Sequence, residues 1–281
     1  MTGGADTPNA PTLCGVWNNR TAFSRRFRPR MRISPIFLAF VALTAFGGWL
    51  SFDDTRSSAR FGVFCFVVGG WVVSLCLHEF AHAYVAFRAG DRSVEAAGYL
   101  TLNPLKYAHP FLSIVLPVIF IAQGGIGLPG GAVYLHPHAF RNRAMQSLAA
   151  AAGPVSNAVF AAILLVLARG HGDGQHIHFW SGVAFLGFLQ ISATVLNLLP
   201  IPGLDGYAII EPYLDRQTAR GFEPIKPWGM LGVFVLLQIH QLNVWFFNLV
   251  AGIYDASGAP KALWALGYDL FRFWRESPIG F

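Results

Sequence analysis

Apolar runs almost free of charge recur along these 281 residues, at 34–51, 61–87, 144–168, 180–200 and 228–254. Each comes close to the roughly 20 residues that cross a bilayer core. Charged residues make up 12% of the chain and hydrophobic ones 54%, about half the charged share of a soluble domain. Such a pattern predicts an all-α polytopic membrane protein with five to six transmembrane helices in a lipid bilayer.

Charge placement gives an orientation. Six arginines precede residue 33 and account for much of the net charge of +6, so the basic balance points to a membrane flank and not to nucleic acid. The segment 1–32 is polar, arginine-rich and reads as disordered at its start. "SRRFRPR" at 24–30 resembles a twin-arginine export signal only superficially, because no small-residue cleavage pattern follows. With the N-terminus cytoplasmic, the run 61–87 returns to that side and delivers Arg88, Arg92 and Lys106 there.

A further apolar stretch at 110–128 decides the parity of the later runs. Pro110, Pro117 and "GGIGLPGG" interrupt it, which suits a re-entrant segment buried against protein. Re-entry keeps Arg141 and Arg143 cytoplasmic and puts Asp205 on the same side as the histidines of the second run.

Those histidines are the exception to the apolar pattern. "LHEFAHAY" at 77–84 places His78, Glu79 and His82 inside a membrane run, where ionisable groups cost a few kcal/mol each and mark function. Residues four apart share one face of a helix. The spacing is the H-E-x-x-H arrangement, in which two imidazoles hold a metal ion and the glutamate reaches an activated water. A catalytic zinc site takes three protein ligands, so another must come from elsewhere. In "LNLLPIPGLDGY" at 196–207, Pro200, Pro202 and Gly203 break an apolar helix and free the chain to turn Asp205 inward; an ordinary helix stop followed by a turn is the other reading. Cys14, Cys65 and Cys76 have no paired spacing and form no metal or disulfide framework.

"HEFAH" together with "NLLPIPGLDG" resembles the site-2 protease family, the intramembrane zinc metalloproteases, in its bacterial branch. "LTLNPLKYAHP", "HPHAFRNRAM" and "AAGPVSNAVFAAILL" fall in that family's order, and the resemblance covers roughly residues 60–210. It implies a three-helix metalloprotease core and one zinc ion per chain, with His78, His82 and Asp205 as ligands and Glu79 as the catalytic carboxylate. The domain would then span 33–254, followed by an amphipathic tail over 255–281. Departures are Gly203, where many relatives have proline, Tyr207, where a second glycine is common, and "HPHAF" in place of a valine–asparagine–proline stretch.

Several other residues carry expectations. Asn157 and Asn197, on the other core helices, are candidates to bind substrate or donate to the scissile carbonyl oxygen, or to satisfy backbone freed by prolines. "GYLTLNP" at 98–104 alternates as a strand does and predicts a small membrane-associated β-hairpin able to pair with an unwound substrate. His136 with His138, and His171, His176 and His178 with Asp173, are candidate second metal clusters; His109 and His240 read as packing or interfacial residues. "KALWALGYDLFRFWRE" reads as an amphipathic helix lying along the membrane surface.

The expected function is hydrolysis of a peptide bond in or near the transmembrane helix of a single-span membrane protein, in a bacterial plasma membrane, with the active site toward the cytoplasm. The alternatives are a metal-binding scaffold without catalysis, against which Glu79 argues, and a divalent-metal transporter, which would need a polar pathway across the membrane.

Overall fold

The computed structural model describes residues 32–54, 58–107, 139–172 and 174–274. The apolar stretch 110–128, the arginines before residue 31, His109, His136, His138 and Asp173 lie outside the described residues. In chain order the helices are α1 (Pro35–Ser51), α2 (Ala59–Ala89), α3 (Ser93–Ala96), α4 (Pro104–Tyr107), α5 (Arg143–Arg169) and α6 (Ile177–Asn197), then α7 (Asp205–Ile210), α8 (Arg216–Phe222), α9 (Gly229–Leu237), α10 (His240–Ala256) and α11 (Lys261–Phe271). Among the described residues, α2, α5 and α6 are each long and apolar enough to cross a membrane, and α9 with α10 gives a fourth if counted as one broken span. The 17-residue α1 is shorter.

At 31 residues, α2 is the central element, about 46 Å long at 1.5 Å per residue. It is buried along most of its length, with Val63, Val67, Trp71, Cys76 and Ala83 all inside. Glycines set the approach of its first neighbour, α1. An added Cβ at Gly47 would lie 2.3 Å from the Phe66 nitrogen, and one at Gly62 would lie 2.7 Å from the Leu50 Cβ. Close backbone packing of this kind holds membrane helices together where burial from water cannot.

The other two long helices flank α2 in opposite directions. Gly70 meets Leu186 and Ser74 meets Gln190, so α6 runs parallel to α2. By contrast α5 is antiparallel: its Ala149 carbonyl contacts His82, and the Arg141 N–H just before it donates to Ala89 O at 3.4 Å. Residues 139–141 therefore sit at the end of α2, where Val94 and Leu100 also pack on Ala83 and Ala86. The residues on either side of the segment 108–138 lie near this end, with Lys106 beside Gly98 and Arg141 on Ala89.

Three expectations change. Residues 98–104 form no strand: Tyr99–Thr101 is a 3-10 turn between left-handed Gly98 and Leu102, and the Thr101 hydroxyl donates back to Gly98 O at 2.7 Å. Local turn bonding overrides the alternation, and no described residue is in a strand. The run 228–254 is not one straight helix, since Lys226–Leu237 and α10 meet at 97°. Ile239 there is extended, Asn243 Nδ2 donates to the freed Leu237 carbonyl at 3.1 Å, and Gln238, His240 and Gln241 crowd the break with polar groups. Finally, α11 spends its apolar face on the bundle: Trp264 stacks on Phe188 at 4.4 Å, and a Cβ at Gly267 would lie 2.1 Å from Ser181 O.

Candidate metal centre

Inside the bundle, two turns before the end of α2, His78 and His82 project together from one face. Both are buried, as is Glu79, which is 3% exposed. His78 Nε2 and His82 Nε2 are 3.0 Å apart. The Asp205 carboxylate closes the triangle, with Oδ2 3.2 Å from His78 Nε2 and Oδ1 3.3 Å from His82 Nε2. These three are the one such group of ligating side chains among the described residues.

Whether they fit zinc can be tested on the spacing. Donors at 2.0–2.2 Å from a tetrahedral zinc stand roughly 3.3–3.6 Å from one another; the observed 3.3 Å meets that range and 3.0 and 3.2 Å fall just short of it, so the three side chains need to spread by a few tenths of an ångström at most. Two imidazoles and a carboxylate are a donor set zinc takes. His82 also has the outer partner a ligand histidine needs: its Nδ1 donates to Ala149 O at 2.7 Å, which orients the ring and turns Nε2 toward the centre.

Backbone shape makes room for this arrangement. Gly153 faces the two rings, and an added Cβ would lie 2.2 Å from His82 Nε2 and 2.6 Å from His78 Nε2. Next to it, Pro154 sits inside α5 and has no N–H to give the Ala150 carbonyl four residues back. On the other side, α6 ends at Asn197 and a tight turn follows, with Ile201 N–H donating to Leu199 O at 2.8 Å and Leu204 N–H to Ile201 O at 3.0 Å. Gly206 lets α7 start against that turn, since a Cβ there would lie 2.3 Å from Leu198 O. Gly203 has φ +97° and abuts the Lys226 carbonyl at 2.2 Å from its would-be Cβ. Proline, fixed near −65°, cannot adopt this backbone, so the turn as it stands here requires glycine. Lys226 itself is anchored by Glu211 at 2.5 Å and Glu223 at 2.9 Å.

The remaining sites expected from sequence divide. Asn157 is buried and lines a small cavity beside His78. Asn197 is buried at the end of α6, and its Nδ2 has no hydrogen-bond partner among the described residues. The loop histidines form no metal-ligating group among the described residues; His171 Nδ1 bonds to Leu167 O at 2.7 Å, His176 Nδ1 to Phe52 O at 2.5 Å, and His178 Nδ1 to Asp54 at 2.6 Å. Asp54 also accepts from the Ile177 and His178 amides. Burial pushes its carboxyl up, but these bonds outweigh it and hold its pKa below the ordinary value. Sequence reasoning misses Gly153 and the buried pair Ser74–Gln190; the glycine–proline step inside an apolar helix is the visible signal for the first.

Comparison with known proteins gives the context. No family model matches the chain, and no solved structure matches it. It is similar to "Putative zinc metalloprotease Rip2" of Mycolicibacterium smegmatis, 54% identical over 253 residues that cover 89% of this chain and 97% of that protein. The protein of the same name in Mycobacterium tuberculosis is 50% identical over 250 residues, 88% of this chain and 96% of its own. "Putative zinc metalloprotease YwhC" of Bacillus subtilis is 35% identical over 180 residues, 61% and 79% respectively. Identity at this level over nearly the full length of two relatives leaves no room for a different ancestry, and the chain belongs to the site-2 protease family.

Proposed function

We propose that this chain is an intramembrane zinc metalloendopeptidase that cuts a peptide bond in or near the transmembrane helix of a single-span membrane protein. The observation that carries the reading is the convergence of His78, His82 and Asp205 on one point within an apolar helix bundle, with Glu79 on the same helix turn. Relatives named as zinc metalloproteases support the same activity.

The roles follow from chemistry. His78, His82 and Asp205 hold one zinc ion, and Glu79 holds and moves protons. Zinc bound in such a site acidifies water and polarises carbonyl oxygens. Glu79 takes a proton during attack and returns it to the leaving amine. Asn197, whose buried Nδ2 has no partner among the described residues, donates to the substrate backbone. Lining the outer half of the core, Val63, Val67, Phe185 and Leu186 are fully packed, which favours a closed site over a metal pathway across the membrane. Arg88, Arg92, Lys106, Arg141 and Arg143 gather at the end where α2 stops, and that end faces the cytoplasm by the positive-inside rule.

The test is incubation of the purified full chain with a panel of single-span helices, comparing wild type with Glu79→Gln. Cleavage by the wild type alone is expected. Equal cleavage by both proteins, or by neither across the panel, would overturn the reading.

A further inference from the structure

The two histidine ligands are not supported alike. Held by its Nε2 at the centre, each ring carries its proton on Nδ1, and a ligand histidine donates that proton to a carboxylate, a carbonyl or a water. His82 gives its own to Ala149 O. His78 Nδ1 is buried and has no hydrogen-bond partner among the described residues, an arrangement that costs free energy unless something accepts from it.

Two polar side chains, Ser74 and Asn157, share an otherwise apolar space beside His78. A small cavity is bounded by Trp71, Ser74, Leu75, His78, Asn157 and Ala193 and has room for about one water molecule. Ser74 is one helical turn before His78 on the same face. Its hydroxyl donates to Trp71 O at 2.8 Å and accepts from Gln190 Nε2 at 2.8 Å, which leaves it one lone pair and no proton to give. Asn157, 5% exposed, brings a carboxamide to the same space and makes no side-chain hydrogen bond to another described residue.

We propose that this cavity is a binding site for one water molecule that positions His78. The water accepts from His78 Nδ1–H and donates to Ser74 Oγ and to Asn157 Oδ1. These three partners leave its second lone pair open toward the Trp71 Nε1–H, which is also buried and without a hydrogen-bond partner among the described residues. Three protein groups fall within the two to four polar partners that a buried water needs. Gln190 fixes Ser74 as an acceptor, so it belongs to the same device at one remove. Asn157 is then a positioning residue for the metal ligand, not a donor to the substrate. This inference rests on the metal-centre reading above.

The experiment measures zinc affinity by chelator competition on the full chain in detergent, and the visible absorption spectrum of the cobalt-loaded protein at saturating metal. Asn157→Leu removes the amide, and Ala193→Val fills the cavity while leaving every polar partner in place. Each is expected to weaken zinc binding about 10- to 100-fold, the usual effect of losing an outer partner, and to shift the cobalt spectrum, while circular dichroism shows the wild-type helix content. Wild-type affinity and spectrum in Ala193→Val would overturn the water, even with Asn157→Leu impaired. Wild-type values in both would overturn the positioning role altogether. His78→Ala separates the two readings, since undiminished zinc binding there overturns the metal centre itself.

Discussion

Gly153 faces His82 so closely that a single added methyl would lie 2.2 Å from the ligand nitrogen Nε2. With the ring already tied to Ala149 O at 2.7 Å, it has no direction in which to yield. Gly153→Ala is therefore expected to cost about 1–3 kcal/mol of packing and to cut zinc affinity at least about tenfold. Metal analysis of the purified variant, with circular dichroism to follow the fold, checks this; full zinc content with wild-type stability would count against the site geometry.

A second glycine sets the other ligand. Gly203 has φ +97° with the Lys226 carbonyl against it, two residues before Asp205. Gly203→Pro cannot adopt that backbone and is expected to cost more than about 1 kcal/mol of stability, read as a lower thermal midpoint, with loss of zinc. Gly203→Ala should fall in the same direction, because a left-handed alanine is also strained. A proline variant that melts as wild type does would mean that the turn before Asp205 is held differently.

At the opposite end of the bundle, Asp54 caps α6 from another part of the chain through the Ile177 and His178 amides. Asp54→Ala should cost about 1 kcal/mol at neutral pH, as loss of a cap does. Because the folded carboxyl has a pKa lowered from 3.8, its contribution is complete above that value and is lost as pH falls through the lower, folded one. Thermal midpoints from pH 7 down to 2 should show the gap between wild type and variant closing at the acid end. A gap that stayed constant would show that the charge contributes nothing.

Topology is open to direct labelling. The Arg141 amide donates to Ala89 O, so cysteines placed at Arg92 and at Arg141 should react with an impermeant reagent from the same side, the cytoplasmic one. Reaction of the two from opposite sides would require a different path for the chain between α4 and α5.

Much of this is readable in the residues. His78, Glu79 and His82 stand out because charge is rare in their surroundings, and Asp205 because prolines and a glycine break the helix before it. Other features depend on partners far away in sequence. The bend between α9 and α10 gives no proline or glycine signal at 237–240, only a cluster of Gln238, His240, Gln241 and Asn243 whose hydropathy averages out against leucine and phenylalanine. The expected strand at 98–104 shows how a period of two can be satisfied by turns, with Gly98 and Leu102 both left-handed. In α11 the amphipathic pattern is legible, but whether lipid headgroups or Phe188 and Ser181 meet its apolar face is not.

The most direct test of the metal centre is the zinc content per chain of purified wild type, Asp205→Ala and Glu79→Gln, measured side by side. Asp205 lies 3.2 Å from His78 Nε2 and 3.3 Å from His82 Nε2, where a ligand stands, and two histidines alone hold zinc poorly. About one zinc is expected in the wild type, little in Asp205→Ala and about one in Glu79→Gln. Full zinc in Asp205→Ala, or its loss in Glu79→Gln, would contradict the division between ligand and base.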